Sequence, residues 1–267
     1  MIQKYQPLHH KYRPKRFDDL VGQEAIAAAL KQALLTNRIA PAYLFSGPRG
    51  TGKTSSARIL ARSLNCLQSN EPTPDPCGAC TNCQAIAQST SLDVIEIDAA
   101  SNTGVDNIRE LIERSRFAPV QARWKVYVID ECHMLSTAAF NALLKTLEEP
   151  PPQVVFVLAT TDLQRVLPTI LSRCQSFDFR RIPIAKLINH LGMIASKEEI
   201  AIEQSALHLV AQKAQGGLRD AESMLDQLSL LPSPIKINAV WDLLGSIPEQ
   251  HLLQLTNALT ESDPVKL

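Results

Sequence analysis

The chain has 267 residues, enough for about two domains and a well-formed core. Its 45% hydrophobic and 20% charged residues are those of an ordinary soluble globular chain, and 27 basic residues against 27 acidic ones cancel, so no bulk charge draws it to nucleic acid and such contact must come from local clustering. The N-terminus has no apolar signal region and no apolar run approaches the roughly 18 residues of a membrane span, so the expectation is a cytoplasmic protein without membrane contact.

In chain order, "HHKYRPKR" (9–16) is a small basic block, and "QEAIAAALKQALL" after Gly22 has helical composition. "AYLFS" (42–46) is a short apolar strand that feeds a glycine-rich loop and then the helix "KTSSARILARSLNC". A cysteine-rich insertion follows at 66–83. Further strands are predicted at 93–98, 125–130 and 153–161, with helices around 105–116 and 137–149, and the run after Arg173 also reads as a strand. Strands alternating with helices predict a parallel α/β sheet covered on both faces. Prolines 150–152 end the second of those helices. After about residue 182 strand signals stop, and four stretches with helical spacing of apolar residues predict a small helical domain.

"GPRGTGKT", residues 47–54, satisfies G-x-x-x-x-G-K-[ST] between a predicted strand and a predicted helix, the context that gives the match its weight. Gly47, Gly50 and Gly52 let the loop turn after Pro48 so that successive N–H groups of residues 49–55 (Arg49, Thr51 and Ser55 included) converge on phosphate oxygens, and the helix N-terminus adds partial positive charge. Lys53 is positioned for the β- and γ-phosphates and Thr54 for Mg²⁺. "VYVIDECH" (126–133) is the complement, with Asp130 expected to hold Mg²⁺ and Glu131 to orient and deprotonate the attacking water. His133 is expected to be a packing or polar surface residue, and Cys132 and Cys174 buried small apolar ones.

Cys66, Cys77, Cys80 and Cys83 give C-x₁₀-C-x₂-C-x₂-C, which suits four thiolates around a structural Zn²⁺ with no open coordination position. The competing reading is a redox C-x-x-C or unrelated thiols, against which stands the absence of a thioredoxin-like context.

Taken with "KYRPKRFDDLVGQ", "EIDAAS", "FNALLKTLEEPP", "LATTD", "TILSRC" and "GGLRDA", these motifs in this order resemble, over essentially the whole chain, the gamma/tau subunits of the bacterial DNA polymerase III clamp loader. The resemblance implies an AAA+ fold with a nucleotide-binding domain over 1–182, a helical lid over 183–245 and the start of a truncated helical collar over 246–267. It also implies an ATPase that opens a sliding clamp and loads it on primed DNA, in a pentameric ring with copies of itself and subunits of delta and delta-prime type. ATP, Mg²⁺ and Zn²⁺ are the implied cofactors. Thr161 matches the sensor-1 position, Arg219 the sensor-2 position, and Arg173 an arginine finger that enters the neighbouring subunit's ATP site. Arg109 and Lys145 match DNA-facing basic positions, whereas Asn102 and Gly104 stand where relatives often carry basic residues. As the alternative, Lys145 is a solvated helix residue paired with Glu148 or Glu149. Tyr12 and Pro14 are expected beside the adenine. The competing functions are another AAA+ ring ATPase on DNA, of branch-migration type, and a non-hydrolysing structural subunit. The four cysteines argue against the first, and the complete set Lys53, Thr54, Asp130 and Glu131 against the second.

Overall fold

The computed structural model describes residues 5–243 together with Leu253, Thr256 and Asn257. The apolar runs form five strands: β1 Ala42–Ser46, β2 Val94–Asp98, β3 Lys125–Asp130, β4 Val154–Thr160 and β5 Gln175–Asp178. All pair in parallel in the order β2-β3-β4-β1-β5. The helices are α1 Leu8–Lys11, α2 Glu24–Leu35, α3 Lys53–Asn65, α4 Thr81–Ala87, α5 Val105–Ser115, α6 Thr137–Glu148, α7 Pro168–Leu171, α8 Ile184–Lys197, α9 Gln204–Lys213, α10 Leu218–Leu228 and α11 Ile237–Leu243.

Every residue of β1 and β4 is buried, as expected where helices cover both faces of a parallel sheet. Alternation along the strands divides their side chains between two cores. Tyr43, Phe45, Val126, Val128, Val155 and Val157 pack with residues of α2 and α3 on one face. Leu44, Tyr127, Ile129, Phe156 and Leu158 pack with residues of α5 and α6 on the other. Ser136 starts α6 by accepting from the Ala139 N–H at 3.2 Å, a side-chain cap that satisfies an otherwise orphaned donor.

The chain divides into two units, Arg13–Pro183, which carries the sheet, and a helical unit from Ile184 onward that also takes in the N-terminal residues up to Tyr12. This N-terminal assignment differs from the expected one. Residues 5–12 join the helices because Leu8 is buried there, Tyr5 donates to Asp226, and Lys11 and Tyr12 both engage Glu198 just past α8. Leu187, Leu191, Ile194, Val210, Leu225 and Val240 are buried in this unit, at the helical spacing visible in the sequence. The expected collar over 246–267 lies outside the described residues, apart from Leu253, Thr256 and Asn257.

Candidate nucleotide site

The phosphate loop leaves β1 between two neighbouring strands. The Gly47 N–H donates to the Thr160 carbonyl at 3.2 Å, and the Phe179 N–H, just past β5, donates to the Ser46 carbonyl at 2.7 Å. Gly47 has φ +135°, and a Cβ built there would lie 2.1 Å from the Phe179 carbonyl oxygen, so only glycine fits. Gly52, at φ +103°, turns the chain into α3, whose first residue is Lys53. Thr51 ties the loop on itself by donating to the Pro48 carbonyl at 2.8 Å. Lys53 Nζ donates to the carbonyls of Gly47 and Pro48 at 2.7 and 2.8 Å. Burial pulls its ammonium below the ordinary lysine value, while Glu131 and Asp130 act to raise it. Cation, helix N-terminus and loop amides are thus gathered at one point, the chemistry of an anion cradle. Arg49 is exposed at the tip of the loop.

The acidic end of β3 meets this loop. Thr54 Oγ1 donates to Asp130 Oδ2 at 2.7 Å, and the Glu131 N–H donates to Asp130 Oδ1 at 2.9 Å. Glu131 sits in the left-handed region at φ 47°, which ends the strand there. Thr161, one residue beyond β4, donates to Glu131 Oε2 at 2.9 Å. The oxygen pair Thr54 and Asp130 fits Mg²⁺, which is held by few protein oxygens and completes its shell with phosphate and water.

Among the described residues the four cysteines are the one group of three or more His, Cys, Asp or Glu able to share a metal, with all sulfurs within 4.8 Å of one another. Backbone N–H groups reach three of the sulfurs: Cys77 N to Cys66 Sγ at 3.3 Å, Cys80 N and Ala79 N to Cys77 Sγ at 3.3 and 3.4 Å, and Cys83 N to Cys80 Sγ at 3.4 Å. Those from Cys80 and Ala79 hold the Cys77 thiol down at about 6, whereas burial pushes Cys83 up. A tetrahedral thiolate site suits this donor set. Sequence reasoning missed what anchors the module: Arg123 donates to the carbonyls of Leu64, Cys66, Ser69 and Glu71, and Asn65 exchanges hydrogen bonds with the Trp124 backbone at 3.0 and 2.8 Å.

The remaining candidates are distributed. Arg173, just past α7, binds Glu148 through Nε at 3.0 Å and through Nη2, and donates from Nη1 to the Thr169 carbonyl at 2.6 Å. Glu148 is therefore engaged by Arg173. Arg109 and Lys145 are exposed on α5 and α6, with Arg109 3.2 Å from Asp106. Arg219 lies on α10 in the helical unit. Tyr12 belongs to that unit as well and donates to Glu198; burial, with that hydrogen bond, raises its phenol to about 12. Pro14 belongs to the sheet unit. Cys132 is fully buried and Cys174 partly so. His133 is drawn into the site: its Nδ1 lies 3.0 Å from Thr160 Oγ1 and 3.5 Å from Glu131 Oε2. Among the described residues no helix is long and apolar enough to cross a membrane.

Comparison with known proteins matches residues 22–183 to the family described as "DNA polymerase III, delta subunit" and residues 186–228 to "DNA polymerase III clamp loader subunit, ATPase lid domain". The chain is 46% identical to DNA polymerase III subunit tau of Bacillus subtilis over 97% of its own length and 46% of that protein, and 48% identical to the tau subunit of Escherichia coli over 97% and 40%. To DNA polymerase III subunit gamma of Buchnera aphidicola it is 46% identical over 98% of its length and 72% of that protein. The chain thus spans less than half the length of the two tau relatives. Among solved structures, the Thermotoga maritima RuvB Holliday junction branch migration motor is similar, with TM-score 0.64 and 19% identity over 93% of this chain and 79% of that one, a likeness of fold.

Proposed function

Because the chain belongs to the gamma/tau subunit family of DNA polymerase III, we propose that it is an AAA+ ATPase subunit of a clamp loader, which binds and hydrolyses ATP to open a sliding clamp and load it on primed DNA. The observation that carries this is the 2.7 Å contact between Thr54 and Asp130, which brings the phosphate loop and the acidic strand end into one site. The loop amides and Lys53 hold the triphosphate, Lys53 exchanging its carbonyl partners for phosphate oxygens. Mg²⁺ at Thr54 and Asp130 would offset phosphate charge during transfer. Glu131, held by Thr161, accepts a proton from the attacking water. Arg219 is assigned to the nucleotide of its own subunit, and Tyr12 and Pro14 to its adenine.

Arg173 serves the neighbouring subunit's nucleotide, and strand register supports this. Parallel pairing sets Tyr43 opposite Gln175 and Ser46 opposite Asp178, so Arg173 lies beyond the end of β1 remote from the phosphate loop. At about 3.3 Å per residue the separation is roughly 15–20 Å, too far for its side chain to serve its own site. A finger supplied in trans makes hydrolysis depend on assembly with further copies and with delta- and delta-prime-type subunits in a pentameric ring. Exposed Arg109 and Lys145 meet DNA phosphates without reading sequence. The four cysteines hold one structural Zn²⁺, and the protein works in the cytoplasm.

The test is ATP turnover by the full-length subunit assembled with its partners, clamp and primer-template DNA. Clamp and DNA together should stimulate turnover, and Lys53→Ala should abolish both ATP binding and turnover. Stimulation by junction DNA alone, or unchanged ATP affinity in Lys53→Ala, would overturn the reading.

A further inference from the structure

Resting on that reading, we infer that His133 is a positioning residue for Glu131 and joins the hydrolytic carboxylate to the end of the sensor strand β4. Three polar atoms converge on the fully buried Thr160 hydroxyl. The Asp162 N–H donates to Thr160 Oγ1 at 3.0 Å, and the Asp162 carbonyl accepts from it at 3.0 Å. The third atom is His133 Nδ1, at 3.0 Å. A hydroxyl has one proton, and here it is directed to the Asp162 carbonyl, so the Thr160 oxygen can only accept from the imidazole. The other atom facing Nδ1 is Glu131 Oε2 at 3.5 Å, again an acceptor. Two acceptors around one ring nitrogen assign the proton to Nδ1, a tautomer deduced from its partners.

The imidazole is 11% exposed and the Glu131 carboxylate 34%, so the buried ring forms one wall beside a wetter group. Glu131 Oε2 accepts from Thr161 Oγ1 at 2.9 Å and rests 3.5 Å from the His133 ring nitrogen, whose proton goes to Thr160, and both neighbours are attached to or anchored on the C-terminal end of β4. Glu131 itself takes a left-handed conformation just outside the strand, so the ladder does not fix its direction. The β4 end therefore supplies the orientation, directly through Thr161 and through Thr160 and His133. A shift of that end on nucleotide or DNA binding would re-aim the carboxylate.

The test separates the two ring nitrogens. In the assembled complex with clamp and primer-template DNA, His133→Asn keeps an N–H at the Nδ1 position, whereas His133→Gln places it at the Nε2 position. We expect Asn to retain kcat within about threefold, and Gln and Ala to lose about tenfold or more, within the roughly 10²-fold that a 1 Å misplacement can cost. KM for ATP should be unchanged in all three. Thr160→Val removes the anchor and should not add to the loss in His133→Ala, which keeps the test decisive if one variant folds poorly. Equal kcat in the Asn and Gln variants, a loss confined to KM, or additive losses with Thr160→Val would overturn the role of His133. Glu131→Gln in the same assay separates the two levels of the argument. Retained turnover there removes the hydrolytic reading and this role with it, whereas its loss alongside equal Asn and Gln variants removes only this role.

Discussion

Replacing Gly47 by alanine tests whether the Phe179 carbonyl sets the shape of the phosphate loop. The new Cβ would lie 2.1 Å from that oxygen and 3.0 Å from the Phe179 carbonyl carbon. Carbon and oxygen in contact need about 3.3 Å, so one side must retreat by about 1 Å. Phe179 cannot easily do so: its N–H is held by the Ser46 carbonyl at 2.7 Å, and its ring is 1% exposed, with its centroid 5.3 Å from that of Phe45. Overpacking of this kind costs about 1–3 kcal/mol and the backbone strain at φ +135° adds about 1–3. At about 2–4 °C per kcal/mol, the combined cost of about 2–6 kcal/mol should lower the melting of the sheet unit by roughly 4–24 °C. Displacement of the loop should also weaken ATP binding sharply in isothermal titration. Gly192→Ala is the contrast, since nothing lies within 4 Å of a Cβ there and the position is inside α8. That change should raise stability by up to about 1 kcal/mol. A Gly47→Ala protein with wild-type melting and ATP affinity would refute the argument from Phe179.

Arg173→Ala should leave ATP affinity near normal by calorimetry while lowering DNA-stimulated turnover of the assembled complex by about 10³-fold or more; surviving turnover would remove the trans role. Metal analysis should find about one zinc per chain. Cys77 already carries its thiolate above about 6, so zinc should be retained at neutral pH and released on stronger acidification, when protons displace it from the thiolates, read with a chromophoric chelator. Binding at neutral pH should also release protons, since burial keeps the Cys83 thiol protonated until metal arrives. Metal-free, fully folded protein, or retention indifferent to acid, would refute the cluster.

What the sequence made legible was local. The strand "AYLFS", the glycine loop and α3 are contiguous, and so are the apolar run and the acids of β3, so each could be read from period and composition. The residues that escaped act across distance in the chain. Arg123 captures carbonyls 52 to 59 positions away, and no spacing rule marks it. His133, read as a packing or surface residue, acquires its role only when β3 and β4 lie side by side and bring Thr160 to it, 27 positions on. The N-terminal basic block looked continuous with the nucleotide-binding domain, but Leu8 and the partners of Lys11 and Tyr12 place its first half with the helices.

The ion pair between Arg173 and Glu148 also bears on how readily the chain can join a larger assembly. The side chains keep 30% and 49% of their surface in water, and pairs this wet contribute about 0–1 kcal/mol. Glu148 is thus a parking place and not a lock. It holds the guanidinium in one place, yet would yield it to a polyphosphate at almost no energetic penalty.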